Sequence, residues 1–275
     1  MFRTASDVTA LPQDLFPHAH RPRAAQSLLP AVGRASTPRA GELHREPSYC
    51  RAMSRAFERA LTALARFNDA HPWSHNDVYA PLVLHHARRT RAAGGTKALD
   101  VGCGTGNLVR RLAGVFPSVT GIERDVPTAE QAQRTTADLT NVRILTQPFN
   151  ELHEDRYDLI TFVAVLHHLP LEATLEKARE LLRPGGRLVV VGVSREARAD
   201  LPWSIASMVL NPIVGIAKHP RRSATAPVHM TAPTAVPTES FEEITLAAKR
   251  ILPGARLNRS LFWRYTLSWQ AQGSR

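Results

Sequence analysis

Ala98-Leu99-Asp100-Val101-Gly102-Cys103-Gly104-Thr105-Gly106-Asn107 decides the reading of this chain. The stretch leaves a short apolar run and opens onto a helical pattern. Its alternate glycines allow a tight turn that brings the backbone close to a ligand. The helix start behind them offers unpaired N–H groups. A glycine loop alone is weak evidence, and two carboxylates give it direction. Asp100 stands two residues before the first glycine, where it would repel a pyrophosphate. It suits instead a cationic ligand with an amino group and a sulfonium. Glu123 ends the next apolar run, 17 residues past Gly106, close to the spacing at which an acid takes ribose hydroxyls. The plainer readings are a solvated, helix-capping Glu123 and an Asp100 that bonds loop amides.

Outward from this loop, apolar runs and helical patterns alternate. Strands are predicted over Lys97–Val101, Ser118–Ile122, Val142–Thr146, Tyr157–Val163 and Arg187–Val193. Helices are predicted over Asn107–Val115, Pro127–Leu139 and Leu171–Leu182, the last stopped by Pro184-Gly185-Gly186. Such alternation predicts an α/β fold with a doubly wound, mostly parallel sheet. Before the loop, a helical stripe runs from Met53 to His71-Pro72, and a second helix from Pro81 to about Arg91. After it, the apolar segment 203–217 is interrupted at Asn211-Pro212, and a Pro/Ala/Thr-rich loop runs to Pro237. A helix over Ser240–Leu252 precedes two close strands, about Arg256–Leu261 and Arg264–Trp269, which read as a hairpin.

The chain has 275 residues, 43% of them hydrophobic and 21% charged, enough for one sizeable core. No apolar run spans a bilayer, two cysteines build no disulfide framework, and the chain reads as cytoplasmic. Neither cysteine has metal-ligand spacing. Net charge is +11, almost all from arginine. A polyanionic partner is one reading. Composition bias is the other, since the arginines are scattered and no basic run is interleaved with aromatics. Residues 1–52 carry six prolines and no sustained apolar periodicity, and are expected to be disordered. Met53 is a candidate alternative start, which the intact mass of the natively expressed protein decides.

Three further segments complete a pattern: Gly121-Ile122-Glu123, Tyr157-Asp158-Leu159-Ile160-Thr161-Phe162-Val163-Ala164-Val165-Leu166-His167-His168-Leu169-Pro170, and Leu182-Arg183-Pro184-Gly185-Gly186-Arg187 onward. Together with the loop they closely resemble the S-adenosylmethionine-dependent methyltransferases of the seven-stranded Rossmann-like class (class I), within it the small-molecule group. The resemblance is strong over residues 95–195 and looser in the tail. It implies a seven-stranded sheet of order 3-2-1-4-5-7-6 with strand 7 antiparallel, and S-adenosyl-L-methionine as cofactor. The loop Gly102, Cys103, Gly104, Thr105 and Gly106 would cradle its methionine part, the three glycines foremost. Asp100 would hold the ammonium, Glu123 the ribose, and Arg124 would lie beside the adenine. Val163 and Ala164 would line the cofactor, with His168 near the methyl group. Where the class carries an acid for the adenine amino group, this chain has Pro148. Gln147 or Asn150 would accept instead, with Phe149 on the adenine face.

Residues 53–275 thus form the expected catalytic domain, with 53–93 as a helical lid and 195–237 as a substrate cap. In the lid, Trp73, His75, Asn76 and Tyr79 are candidates for cofactor contact or, equally, core anchors. In the cap, Trp203, Ile205, Met208, Val209 and Leu210 would roof an apolar pocket or form an ordinary core helix. His168, with His167 beside it, is the candidate general base, needed only if the acceptor carries a proton. The expected reaction is methylation of a small, apolar or aromatic molecule. An RNA methyltransferase and a catalytically silent cofactor-binding protein are the alternatives.

Overall fold

The computed structural model describes residues 74–153, 156–218 and 236–272. Segment 1–52, the stripe beginning at Met53 and most of the loop to Pro237 lie outside these residues. The elements are α1 (His75–Ala92), β1 (Lys97–Val101), α2 (Asn107–Ala113), β2 (Ser118–Glu123), α3 (Val126–Thr135), β3 (Val142–Thr146), β4 (Tyr157–Val163), α4 (Leu171–Leu181), β5 (Leu182–Gly192), α5 (Leu201–Lys218), α6 (Phe241–Ile251), β6 (Arg256–Ser260) and β7 (Arg264–Gln270). The strands form one seven-stranded sheet in the order β3-β2-β1-β4-β5-β7-β6, the order the resemblance implies. β1 to β5 pair in parallel, and β7 runs antiparallel to both β5 and β6.

Successive side chains along a strand point to opposite faces, and here both faces are dry. Leu99, Ile160, Leu188 and Val190 pack with Leu175 and Ala178 of α4 and with Phe241, Ile244 and Ala248 of α6. Their neighbours Ala98, Leu159, Val189 and Val191 pack on the other face with Val83 and Ala87 of α1, Val109 and Leu112 of α2, and Ala132 of α3. Side chains this deeply buried contribute roughly 1.5–3 kcal/mol each, which is why the strands read as nearly unbroken apolar runs.

Local chemistry sets the element ends. Asp125 caps α3 through Thr128 N, and Ser240 with Glu243 forms a capping box on α6. Helix α3 ends at Thr135, short of the expected Leu139, and two elements start well before expectation. Helix α1 starts at His75, not Pro81, so Pro81 lies inside it with its ring exposed. The first turn is held instead by tertiary contacts of His75, Asn76 and Tyr79. Strand β5 begins at Leu182, not Arg187, because Gly185 and Gly186 exchange backbone bonds with Ala271.

β1, β2, β4 and β5 all end on one edge of the sheet. The β6–β7 turn, Leu261–Trp263, lies on that same edge because Gly192 pairs with Tyr265 and Ser260 with Arg264. Gly192 makes this approach possible, since a Cβ there would fall within the Tyr265 ring, and Tyr265 is fully buried. Gly192→Ala should therefore lower stability by roughly 1–3 kcal/mol or more through overpacking. A urea midpoint equal to wild type would show that Tyr265 moves aside at no cost.

Candidate active site

The loop between β1 and α2 is held from behind. Cys103 N donates to Ile122 O (2.9 Å) and Gly106 N to Cys103 O (3.0 Å). Gly102, Gly104 and Gly106 all have positive φ, at 66°, 53° and 86°. Their surroundings differ. A Cβ on Gly102 would collide with Val165, and one on Gly106 would meet Ala132 at 3.3 Å, whereas one on Gly104 would meet nothing within 4 Å. Gly104 therefore fronts an open space. Thr105 beside it is half-buried.

Two carboxylates meet at this loop. Asp100, in the middle of the sheet, is 2% exposed, and Thr161 Oγ1 on the paired strand donates to its Oδ1 at 2.6 Å. Burial raises its pKa to about 7, the bond from Thr161 lowers it, and the charge of Glu123 raises it again. The bonds to loop amides expected of Asp100 are made instead by Glu123, whose Oε2 accepts from Gly104 N (3.2 Å) and Oε1 from Asp125 N (3.0 Å). A buried carboxylate poised near neutrality, a second one at the loop tip and an open Gly104 fit a ligand with an ammonium and a ribose. Asp100, Glu123 and the loop backbone would hold it.

Several other candidates have structural duties. The Cys103 side chain is buried against Gly121 in the core, and burial pushes its thiol strongly up. Only its backbone serves the loop. Phe149 is 4% exposed, its ring edge-to-face on Phe162 at 5.4 Å. It is a core residue and does not stand open to stack on a base. Asn150 is exposed, and its carbonyl accepts from Lys177 Nζ (2.5 Å). Arg124 is exposed and near enough to His168 to lower its pKa. Tyr79 donates to Leu261 O at 2.6 Å, so its hydroxyl anchors the β6–β7 turn.

The exit of β4 is strained. Val163 is half-buried, and Ala164 has φ 55° while its N–H donates to Val191 O (2.7 Å). Left-handed backbone at a non-glycine residue costs of the order of 1 kcal/mol and clusters at functional sites. It aims the short 3-10 turn Leu166–His168 across the sheet edge. The rings of His167 and His168 lie 4.1 Å apart. Burial, then His168 and Arg264, lower the His167 pKa to about 4. Its Nδ1 is buried with no hydrogen-bond partner among the described residues. Burial and Arg124 lower His168, while Glu123 raises it. Both imidazoles are therefore neutral at pH 7.

The cap helix α5 is oriented opposite to expectation. Ser204, Ser207 and Asn211 face inward, while Leu201, Ile205, Val209 and Ile213 are each at least half exposed. Of the expected apolar roof, only Trp203 reaches the pocket below. Hydrogen bonding is the reason for this orientation. Phe262 and Trp263 have φ 58° and 55°, and this strained turn needs polar partners. Ser207 Oγ accepts from Phe262 N (2.6 Å), and Asn211 Oδ1 lies 3.0 Å from His75 Nε2. The His75 ring stacks on Phe262 at 5.7 Å. Arg264, which the sequence offered only as one strand residue, also lies here. No local pattern distinguished it from the other arginines.

The family described as "Methyltransferase domain" matches residues 99–188. An uncharacterized methyltransferase of Mycobacterium tuberculosis (strain ATCC 25618 / H37Rv) is 29% identical over 215 residues, which is 73% of this chain and 98% of that one. A ubiquinone biosynthesis O-methyltransferase of Shewanella pealeana is 26% identical over 146 residues, 50% of this chain and 61% of the other. Among solved structures, N-methyltransferase NodS from Bradyrhizobium japonicum WM9 aligns with TM-score 0.46 at 15% identity, over 71% of this chain and 96% of that one. Sheet order, glycine loop and family match define the class I methyltransferase architecture. The chain is an S-adenosylmethionine-dependent methyltransferase.

His75 makes this region sensitive to acid. Burial foremost, then Arg264, lowers its pKa to about 4, against a gain from Asn211. A histidine whose folded pKa lies below its unfolded value costs stability as pH falls from about 6.5 towards 4. Between pH 7.5 and 4.5 the loss attributable to His75 should be roughly 2–3 kcal/mol. Asp100 works in the opposite sense over the same window, so the comparison must be with a variant. Denaturation of His75→Phe at both pH values should show the wild type losing that amount relative to the variant. Equal pH dependence would contradict a buried neutral His75.

Proposed function

We propose that the enzyme moves the methyl group of S-adenosylmethionine onto a small molecule with an aromatic or apolar body. The observation that carries this is the narrow pocket on the sheet edge walled by Trp203, Trp263, Phe241 and Tyr265. Aromatic walls favour a flat apolar face. The relative that acts in ubiquinone biosynthesis points to the same acceptor class. The +11 charge favours RNA only in bulk. Many arginines of the described residues are engaged with acids, as in Arg110–Asp138, Arg183–Asp158 and Arg195–Glu243.

S-adenosylmethionine supplies an activated methyl group on a sulfonium. The residues supply position. Asp100 holds the ammonium, and the open face of Gly104 lets the backbone come close. Glu123 keeps its loop bonds and accepts from ribose hydroxyls with its remaining lone pairs. Alignment then provides much of the rate. Of the two histidines we assign the acceptor's proton to His167 rather than His168, since His167 feels the charge of Arg264, a pocket residue, while His168 feels Glu123 and Arg124. Its neutral ring takes the proton of an O–H or N–H as the new bond forms.

Calorimetry with S-adenosylhomocysteine tests the cofactor site. Wild type should bind with micromolar affinity. Gly104→Arg should abolish binding by filling the open space, and Glu123→Ala should weaken it about tenfold through lost charged hydrogen bonds. Unchanged binding in Gly104→Arg would place the cofactor elsewhere.

A further inference from the structure

Arg264 begins β7 on the same edge as the cofactor loop. Among the described residues its guanidinium meets only neutral oxygens, at long range: Nε to Asn76 Oδ1 (3.3 Å), Nη1 to Phe262 O (3.5 Å) and to Trp263 O (3.4 Å). No carboxylate of the described residues pairs with it. By contrast Arg259, nearby on β6, pairs with both Asp200 and Glu242 and lies over the Phe241 ring. Burial lowers the Arg264 pKa to about 10, and only Tyr79 offsets this. A half-buried cation with no carboxylate partner among the described residues is costly, and the anion of a ligand would complete it. Arginine cannot shed the cost by deprotonating near neutral pH.

Arg264 lines the aromatic-walled pocket together with Ser194, Trp203, Ser260 and Trp263. Asp200 and Glu196 line it as well, but each is already bonded. Asp200 accepts from Arg259 Nε (2.6 Å) and Ala197 N (2.8 Å), and Glu196 from Ser204 Oγ (2.5 Å). No residue of the loop 100–106 lines this pocket, so its occupant is the acceptor rather than the cofactor's amino-acid end.

We propose that Arg264 is the recognition residue for an oxyanion, a carboxylate or phosphate, carried by the methyl acceptor. The inference rests on the methyltransferase reading above and deepens it: the acceptor is an anionic aromatic. The planar guanidinium takes such a group through two parallel N–H···O bonds. The anion is thereby fixed at the start of β7, and the ring lies among the aromatic walls of the pocket.

The test uses full-length protein saturated with S-adenosylhomocysteine and titrated with benzoate, phenyl phosphate and the neutral benzamide. At least one anion should bind about tenfold or more tightly than benzamide. Arg264→Gln should erase that preference, keep the S-adenosylhomocysteine affinity within about threefold, and not lower the melting temperature, because no carboxylate of the described residues pairs with the lost charge. Arg264→Lys, the variant least disturbing to the fold, should keep the preference with weaker affinity. The proposal is overturned if wild type shows no preference for either anion, or if Arg264→Gln retains it. It is also overturned if folded Arg264→Gln loses cofactor affinity instead, which would assign the guanidinium to the cofactor's carboxylate. Failure of wild type to bind S-adenosylhomocysteine would count against the methyltransferase reading. The same anion titrations on cofactor-free protein would then still decide the anion site.

Discussion

A carboxylate in the middle of a β-sheet is expensive, and the active edge of this enzyme is arranged around one. Asp100 is almost wholly buried, bonded by Thr161 from the neighbouring strand and repelled by Glu123 at the loop tip. An apolar residue there would pack as well and cost nothing in desolvation. In the proposed site, a cation brought to the open face of Gly104 would complete it. The glycine loop, the pairing of β1 with β4 and the left-handed Ala164 at the β4 exit all serve to keep that charge and that open space adjacent.

The same logic recurs across the sheet edge at Arg264. Asp100 is buried beside the glycine loop, and half-buried Arg264 lines the aromatic-walled pocket. Between them lies the turn Val165–His168, whose first residue fills the space left by Gly102 and whose His167 feels the charge of Arg264. In the proposed reaction these two charges would each hold one member of the reacting pair and so align it. Strain at Phe262 and Trp263 belongs to this arrangement, since it sets Arg264 at the mouth of the pocket and is held by Ser207 and by stacking with His75.

What could be read from the sequence was what local pattern encodes. The alternation of apolar runs gave the doubly wound sheet, and the family resemblance gave its order. Asp100, the glycines and Glu123 were legible because their chemistry is tied to a fixed spacing along the chain. Side-chain direction was not legible. Whether Cys103 faces a ligand or the core depends on the approach of Gly121, and Phe149 turns inward because Phe162 offers its face. Helix α5 carries an apolar stripe that sequence logic places inward. Its serines and Asn211 face inward instead, because a strained turn 50 or more residues away needs hydrogen-bond partners. Arg264 has no local signature at all. Its meaning comes from the absence of a carboxylate paired with it among the described residues, a tertiary fact.

The central claim is that Asp100 is kept near its protonation midpoint until a cation arrives. Carbon-13 NMR of aspartate-labelled protein measures this directly, with the Asp100 signal assigned by its loss in Asp100→Asn. In the free enzyme the signal should titrate with a midpoint of about 7. With S-adenosylhomocysteine bound, whose ammonium favours the charged form, the midpoint should fall by about 2 units or more. A midpoint that stays where it was on binding would mean that the ammonium does not meet Asp100, and the account of this site would be wrong.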